Sequence, residues 1–292
     1  MIIIKLIGGL GNQMFQYSAG YALAKKHNTN LFLDTRIFQD HKMHNGFELD
    51  RVFKIDSFVA EEKEIKKLIG WRYYKIGRYI LKNHQNIFKG KHYYQEKDMT
   101  FNPEFLLLND NCYLSGYWQS EKYFFHYSEL IRKQFKFKIF LSSKNIVVAD
   151  LIKKTSNAVS LHIRRGDYTS TAEARSVHFV CGIDYYDRAM KAIENKVLEP
   201  TYFIFSDDIE WVKKNIKIKK NHYYINHNKS NESYNDMRLM SLCDHHIVAN
   251  SSFSWWGAWL NPNIDKIVIA PKKWFANSID CTTHVPKKWL RI

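Results

Sequence analysis

The segment His162-Ile163-Arg164-Arg165-Gly166-Asp167-Tyr168 sets two guanidiniums side by side, next to a glycine and a carboxylate. Guanidinium forks match phosphate oxygens two bonds at a time, so this grouping suits a phosphorylated ligand. Gly166 lets the backbone turn, and Asp167 can hold one arginine in place. The plainer reading is a surface Arg–Asp ion pair. The embedded Arg-Gly-Asp also matches a cell-adhesion tripeptide, which conflicts with the cytosolic character of the composition.

Two further segments carry comparable chemistry. In Phe205-Ser206-Asp207-Asp208, a carboxylate can accept two N–H bonds from a guanine edge, bind ribose hydroxyls, or hold a divalent ion beside a diphosphate. Equally, Ser206, Asp207 or Asp208 can cap the helix that follows. In Ala249-Asn250-Ser251-Ser252-Phe253-Ser254-Trp255-Trp256, a serine-rich turn opens a helix, and free N–H groups at a helix start attract anions. Ordinary capping by Ser251 or Ser252 is the alternative, and Trp255 and Trp256 read as core. Near the N-terminus, Gly9 and Gly11 fit a dinucleotide-binding G-x-G-x-x-G, and Asp34 follows at a suitable distance for a ribose hydroxyl. Met14, however, stands where the third glycine belongs, which argues against NAD. The glycines instead let Asn12 and Gln13 approach a ligand.

The elements that must position these segments follow from hydrophobic spacing. Residues 2–7 read as a buried strand, 13–26 as a helix and 31–34 as a strand. Residues 36–97 are irregular apart from a helix at 61–69. Residues 112–116 form a strand and 121–135 a helix. From about residue 145 the alternation is strict. Helices are expected at 146–154, 183–197, 210–215, 232–243 and 253–260. Strands are expected at 159–163, 202–205, 222–225, 246–249 and 266–269. The reading is an α/β protein with a boundary near residue 140, giving domains 1–140 and 141–292. All three chemical segments then lie at strand ends, on the carboxyl edge of one parallel sheet, where ligands of open α/β sheets bind.

Composition narrows the partners. The formal charge of +15 asks for anions: nucleic acid, a membrane surface or a phosphorylated ligand. Residues 71–98 are basic and aromatic, which makes a basic nucleic-acid-binding protein the alternative outside the enzyme class, yet no nucleic-acid-binding motif accompanies them, so nucleic acid is not expected as a partner. The aromatic surplus (Trp 8, Tyr 18, Phe 19) suits a bulky core and stacking on flat ligands. Cys112, Cys181, Cys243 and Cys281 form no C-x-x-C pair, so reduced thiols and a cytoplasmic setting are expected. No signal peptide and no membrane-spanning run is seen.

Together GGLGNQMFQYSAGYALA, HIRRGDY, FSDD and ANSSFSWWGAWL resemble glycosyltransferase family 11, the alpha-1,2-fucosyltransferases, over residues 8–260. The resemblance implies a GT-B-like fold, two Rossmann-like domains facing a cleft, with residues 1–140 on the acceptor side and 141–292 binding the GDP-sugar. It implies inverting transfer of fucose from GDP-beta-L-fucose to the 2-hydroxyl of a terminal galactose, without metal or other cofactor. The acceptor would be an oligosaccharide or lipid-linked glycan such as an O-antigen, with peripheral contact at an anionic membrane. By analogy Arg164 binds the β-phosphate and Arg165 supports the motif or the departing charge. His162 and Asp207 read guanine, and Ser252, Phe253 and Ser254 line the diphosphate. Asn12, with Gly11 and Gln13 beside it in the glycine turn, faces fucose or acceptor. Glu173 and His178 are the candidates for the base, with Asp167 more structural. A metal-dependent transferase using Asp207 and Asp208 is the alternative within the enzyme class.

Overall fold

Short apolar runs, closed by turns, become strands that assemble into two all-parallel sheets. The computed structural model describes residues 1–40, 44–74, 92–166, 179–276 and 279–292. It divides into two units, Met1–Lys138 and Ile139–Ile292.

The first unit carries β1 (Ile2–Lys5), β2 (Leu31–Asp34), β3 (Phe58–Val59), β4 (Tyr93–Gln95) and β5 (Cys112–Ser115), in the order β3-β2-β1-β5-β4. Ile2, Ile3 and Ile4 of the central strand are fully buried, as expected where helices cover both faces of a parallel sheet. Helix α1 (Leu10–Lys26) is buried on almost every side from Leu10 to Ala24. Gly20 permits its close approach to the sheet, because a Cβ there would lie 2.8 Å from Leu31 Cδ1. Helix α2 (Glu62–Ile69) opens with a reciprocal capping box between Glu61 and Glu64, and packs Ile65, Leu68 and Ile69 against Ile3 and Tyr113.

Two expectations change in this unit. The helix expected over 121–135 is broken into two 3-10 turns, Glu121–Tyr123 and Phe125–Tyr127, followed by α3 (Ser128–Gln134). Tyr123 and Phe124 are both buried at this break. Tyr123 packs edge-on against Phe105 and Trp118, and Phe124 leaves helical geometry at φ −136°. The stretch 36–97, read as irregular, also supplies β3 and β4.

The second unit carries β6 (Ala158–Ile163), β7 (Thr201–Ser206), β8 (His222–Ile225), β9 (His245–Ile247), β10 (Val268–Ala270) and β11 (Leu290–Arg291), in the order β11-β10-β9-β6-β7-β8. The chain winds outward from β6 to β8, then returns beside β6 as β9 and winds the other way. This is the strand order of the doubly wound dinucleotide-type fold, with its switch point between β6 and β9. Side chains alternate across the strands. Val159, Leu161 and Ile163 pack with α5 (Ile183–Glu194) and α6 (Ile209–Asn215). On the opposite face Ala158, Phe203 and Phe205 meet α4 (Ser143–Lys154), α7 (Tyr234–Met240) and Phe253 of α8 (Ser252–Leu260). Trp255 and Trp256 are fully buried, as read from the sequence. Among the described residues no helix is long and apolar enough to cross a membrane.

Candidate active site

The arginine motif leaves β6 at the switch point, and β7 supplies what holds it. The Asp207 carboxylate accepts the backbone N–H of Arg165 at 2.9 Å and that of Gly166 at 3.0 Å. The same carboxylate pairs with Arg164 Nη1 at 3.1 Å. A side chain at Gly166 would put Cβ 2.9 Å from Asp207 Oδ2, so the glycine is needed for this approach as well as for the turn. Asp207, expected to face a guanine, is therefore turned toward the arginine motif, which it braces. Arg165 lies over the indole of Trp211, its guanidinium carbon 3.7 Å from the ring centroid. Trp211 was not singled out from the sequence, where an aromatic in a short helix reads only as packing. Asp208 is the helix cap, accepting the Trp211 N–H at 3.1 Å, while Ser206 Oγ accepts the Asp208 N–H at 3.0 Å. The three polar residues of FSDD thus divide into turn, clamp and cap.

His162 projects from β6 toward the α7 and α8 face and is 5% exposed. Its Nδ1 has no hydrogen-bond partner among the described residues, and its ring centroid is 6.0 Å from that of Phe253. Burial, and then the neighbouring charge of Arg164, push its pKa down to about 3, so the imidazole is neutral. A neutral imidazole beside an aromatic ring can meet a base edge without an ion's desolvation cost.

At the start of α8, Ser251 is the cap, its hydroxyl accepting the Phe253 N–H at 3.3 Å. Ser254 does not line a diphosphate. It is 1% exposed, and its hydroxyl donates to the Ser251 carbonyl at 3.4 Å. Ser252 and Phe253 remain half-buried at the helix start. Behind them Asn250 ties three segments together. Its amide donates to the Trp274 carbonyl at 3.0 Å and to the Phe179 carbonyl, and its oxygen accepts the Cys181 thiol at 3.4 Å.

A polar cluster escaped the sequence reading. Asn228, just beyond β8, donates to Asp236 at 2.7 Å and to Asn145 at 2.9 Å, and His227 meets the same Asn145 oxygen at 2.9 Å. Asp236 opens α7 and Asn145 opens α4, so the cluster lies at the carboxyl edge of the same sheet. Burial raises the Asp236 carboxyl to about 7, against the lowering effect of Asn228. In sequence these residues are scattered through a polar stretch that reads as loop.

In the first unit, Gly8 takes φ +77° and carries the chain from β1 into α1, which begins at Leu10. Gly11, Asn12 and Gln13 therefore occupy the first helical turn. Gln13 does not reach a ligand, since it is 0% exposed with its amide committed. Its Nε2 donates to the carbonyls of Gly8 at 2.9 Å and Gly46 at 2.8 Å, and its Oε1 accepts the Glu48 N–H at 3.0 Å. Gly11 is buried too. Asn12 is half-buried and accepts Gln119 Nε2 at 2.7 Å. Asp34 is not available to a ribose. It takes both arms of Arg36, at 2.8 and 2.6 Å, and the Tyr113 hydroxyl at 2.6 Å. Burial acts to raise its carboxyl, but these donors prevail and hold it below the ordinary range.

Asp167, Tyr168, Glu173 and His178 lie outside the described residues. Among the described residues no group of three or more His, Cys, Asp or Glu is gathered in a way that could hold a metal ion.

Comparison with known proteins supplies the chemistry's setting. The model of glycosyl transferase family 11 matches residues 1–292. The chain is 37% identical to an alpha-1,2-colitosyltransferase of Escherichia coli, across 100% of this chain and 99% of that one. It is 35% identical to the O-antigen biosynthesis glycosyltransferase WbnK of Escherichia coli, across 94% of each. Among solved structures it resembles the fucosyltransferase NodZ from Bradyrhizobium with a TM-score of 0.53 at 15% identity, covering 89% of this chain and 93% of that one, a likeness of fold. NodZ has also been soaked with GDP-fucose. On the match along its length and on relatives above the range of chance likeness, the chain belongs to glycosyltransferase family 11.

Proposed function

We propose that the protein is an inverting α-1,2-glycosyltransferase that moves L-fucose from GDP-β-L-fucose to the 2-hydroxyl of a terminal galactose in a bacterial surface glycan. The observation that carries this reading is the pair Arg164–Arg165 at the switch point, braced by Asp207 and by the Trp211 indole. Breaking the sugar–phosphate bond builds negative charge on GDP. Arg164 meets that charge at the β-phosphate, Arg165 reinforces it, and the N–H groups at the start of α8, beside Ser252 and Phe253, add to it. Braced donors need little reorganisation as the charge develops, which is the advantage of holding them beforehand. His162 faces the guanine. With Asp207 turned to the arginines, Asp236 in the first turn of α7 offers a carboxyl group that can meet the N–H edge of the base. The guanidiniums supply the positive charge that a divalent ion supplies in other transferases, so the reaction runs without metal. The acceptor is lipid-linked or otherwise presented near an anionic membrane surface, toward which a net charge of +15 draws the protein.

A second donor has a specific observation in its favour. Colitose is L-fucose without its 3-hydroxyl, and the 37% identical relative is an alpha-1,2-colitosyltransferase. The test supplies GDP-fucose or GDP-colitose with a panel of galactose-terminated acceptors, with and without excess EDTA, and determines the linkage by NMR. An α-1,2 product from GDP-fucose, formed equally well in EDTA, is expected. Preference for GDP-colitose would move the assignment to the second donor. Transfer from neither would overturn the reading, and loss of transfer in EDTA would overturn its metal-free part.

A further inference from the structure

Gripping a diphosphate does not by itself choose the base attached to it. A carboxylate that reads a base must present its plane at a set angle, and the terminal torsion of an aspartate is too broad to set that angle alone. In the second unit the start of α4, the segment after β8 and the first turn of α7 meet at Asp236. Its Oδ1 accepts the Asn228 amide at 2.7 Å. Asn228 is in turn locked to Asn145 in both directions. Asn145 Nδ2 donates to Asn228 Oδ1 at 2.8 Å, and Asn228 Nδ2 donates to Asn145 Oδ1 at 2.9 Å. Two further bonds hold Asn145, which is 1% exposed. Its amide donates to Ser142 Oγ at 3.1 Å, and its oxygen meets His227 Nε2 at 2.9 Å.

We propose that Asn145 and Asn228 are positioning residues that aim the Asp236 carboxylate at the N–H edge of guanine and so set the preference for a guanine nucleotide; this rests on the base reading by Asp236 proposed above. Two observations carry it. The amide pair is closed in both directions, so turning either side chain over would set like groups against each other. The group that reaches Asp236 is thereby fixed as an N–H, and it occupies one of roughly four acceptor sites on the carboxylate, leaving both oxygens able to accept again. The second observation is the span of the bonds. Asn145 and Asn228 are 83 residues apart in the chain, so the angle of the carboxylate is imposed by the fold of the unit and not by α7 alone. The chemistry fits this arrangement. Guanine presents N1–H and its 2-amino group side by side, a match for two carboxylate oxygens, whereas adenine presents an acceptor at N1. A site built to pair with such donors rejects a ligand that lacks them.

Charge sharpens the recognition. Only the ionised carboxylate accepts both N–H groups, and burial pushes the Asp236 carboxyl up to about 7 while the Asn228 amide draws it down. GDP affinity should therefore rise as the pH rises through about 7, and loss of the Asn228 amide should move that rise to higher pH. His227 is pushed below its ordinary value by burial and by Lys144, so it is neutral at pH 7 and above.

The test measures GDP and ADP affinity by calorimetry, between about pH 6 and pH 8.5, for the parent protein, Asn145→Ala, Asn228→Ala and Asp236→Asn. ADP carries the same diphosphate without guanine's N–H edge, so it reports the phosphate grip and the fold. At the upper pH, GDP affinity is expected to fall about tenfold or more in both alanine variants, the effect of one lost bond to a charged group, with ADP affinity within about twofold of the parent. In Asn228→Ala the rise of GDP affinity should also move up by about half a pH unit or more. A preference for GDP over ADP that stays within about threefold of the parent's in both variants would overturn the proposal. So would a parallel loss for both nucleotides, the mark of a merely structural role. Should Asn145→Ala fail to fold, the half-buried Asn228 decides through its own variant. Asp236→Asn separates the underlying reading. It should abolish the preference for GDP, and a preference that survives it would overturn the base reading itself rather than the aiming of the carboxylate.

Discussion

Arg164 is held by a carboxylate on the neighbouring strand end and is asked to meet a phosphate, and the two demands are compatible because Asp207 also grips the backbone behind it. Arg164→Ala should lower turnover by about 100- to 1,000-fold, the effect of removing one preorganised oxyanion donor, and weaken GDP binding. Its melting temperature should stay within a few degrees of the parent, since Arg164 is only part-buried. Retained turnover, measured with saturating donor, would reject its role at the phosphate. Asp207→Asn is a graded version. It keeps the shape but removes the charge that fixes Arg164, so GDP affinity should fall by about tenfold, or 1.4 kcal/mol, in calorimetry. The arginines were legible in the sequence because their chemistry resides in the side-chain type. The part played by Asp207 was not, because it depends on two strand ends meeting 41 and 42 residues apart in the chain. Trp211 was invisible for a similar reason: whether an aromatic lies beneath a guanidinium or only in the core is decided by the packing of α6.

At the scale of elements, the strands legible in sequence were those with enough buried residues to show an apolar run. β3 and β11 have two residues each and were not legible, since their pairing comes from backbone hydrogen bonding to a neighbour rather than from a pattern. The start of α1 was placed at residue 13 rather than Leu10 because Gly11, Asn12 and Gln13 read as a ligand turn. Gln13 shows what that misplacement concealed: its side chain is a strut that fastens the loop of residues 44–48 to the glycine turn. Gln13→Ala leaves one N–H and two carbonyls without this partner, so the protein should lose about 1–3 kcal/mol in urea unfolding. Hydrogen exchange at the Glu48 amide should rise with it. Unchanged protection at that amide would show that the clamp is dispensable.

Across the whole molecule, the alternation of strand and helix foretold two α/β layers, while the buried polar networks inside them could not be foretold. His246 is one such network. It is fully buried between Ser160 Oγ at 2.8 Å and Asn261 Nδ2 at 2.8 Å. Burial, then the charges of Lys266 and His245, push its pKa down to about 3 from the ordinary 6.5. The folded state therefore keeps it neutral where the unfolded chain would protonate it. Its contribution to stability is fully present above pH 6.5 and is lost as the pH falls from there toward 3. His246→Gln retains an amide for Ser160 and Asn261 but cannot titrate. Urea unfolding should show the variant losing about 2 kcal/mol less than the parent between pH 7.5 and pH 5. Equal losses would mean that the parent's His246 does protonate in the fold.

The tryptophans give this molecule an uneven optical signature. Of eight, Trp211, Trp255, Trp256, Trp259, Trp274 and Trp289 belong to residues 139–292, whereas only Trp71 and Trp118 belong to the first unit. Intrinsic fluorescence will therefore follow the unfolding of the second unit far more closely than that of the first. Trp211, pressed beneath Arg165, lies within that signal as a native probe, so the binding of a diphosphate to the arginines can be followed by quenching or enhancement without any label.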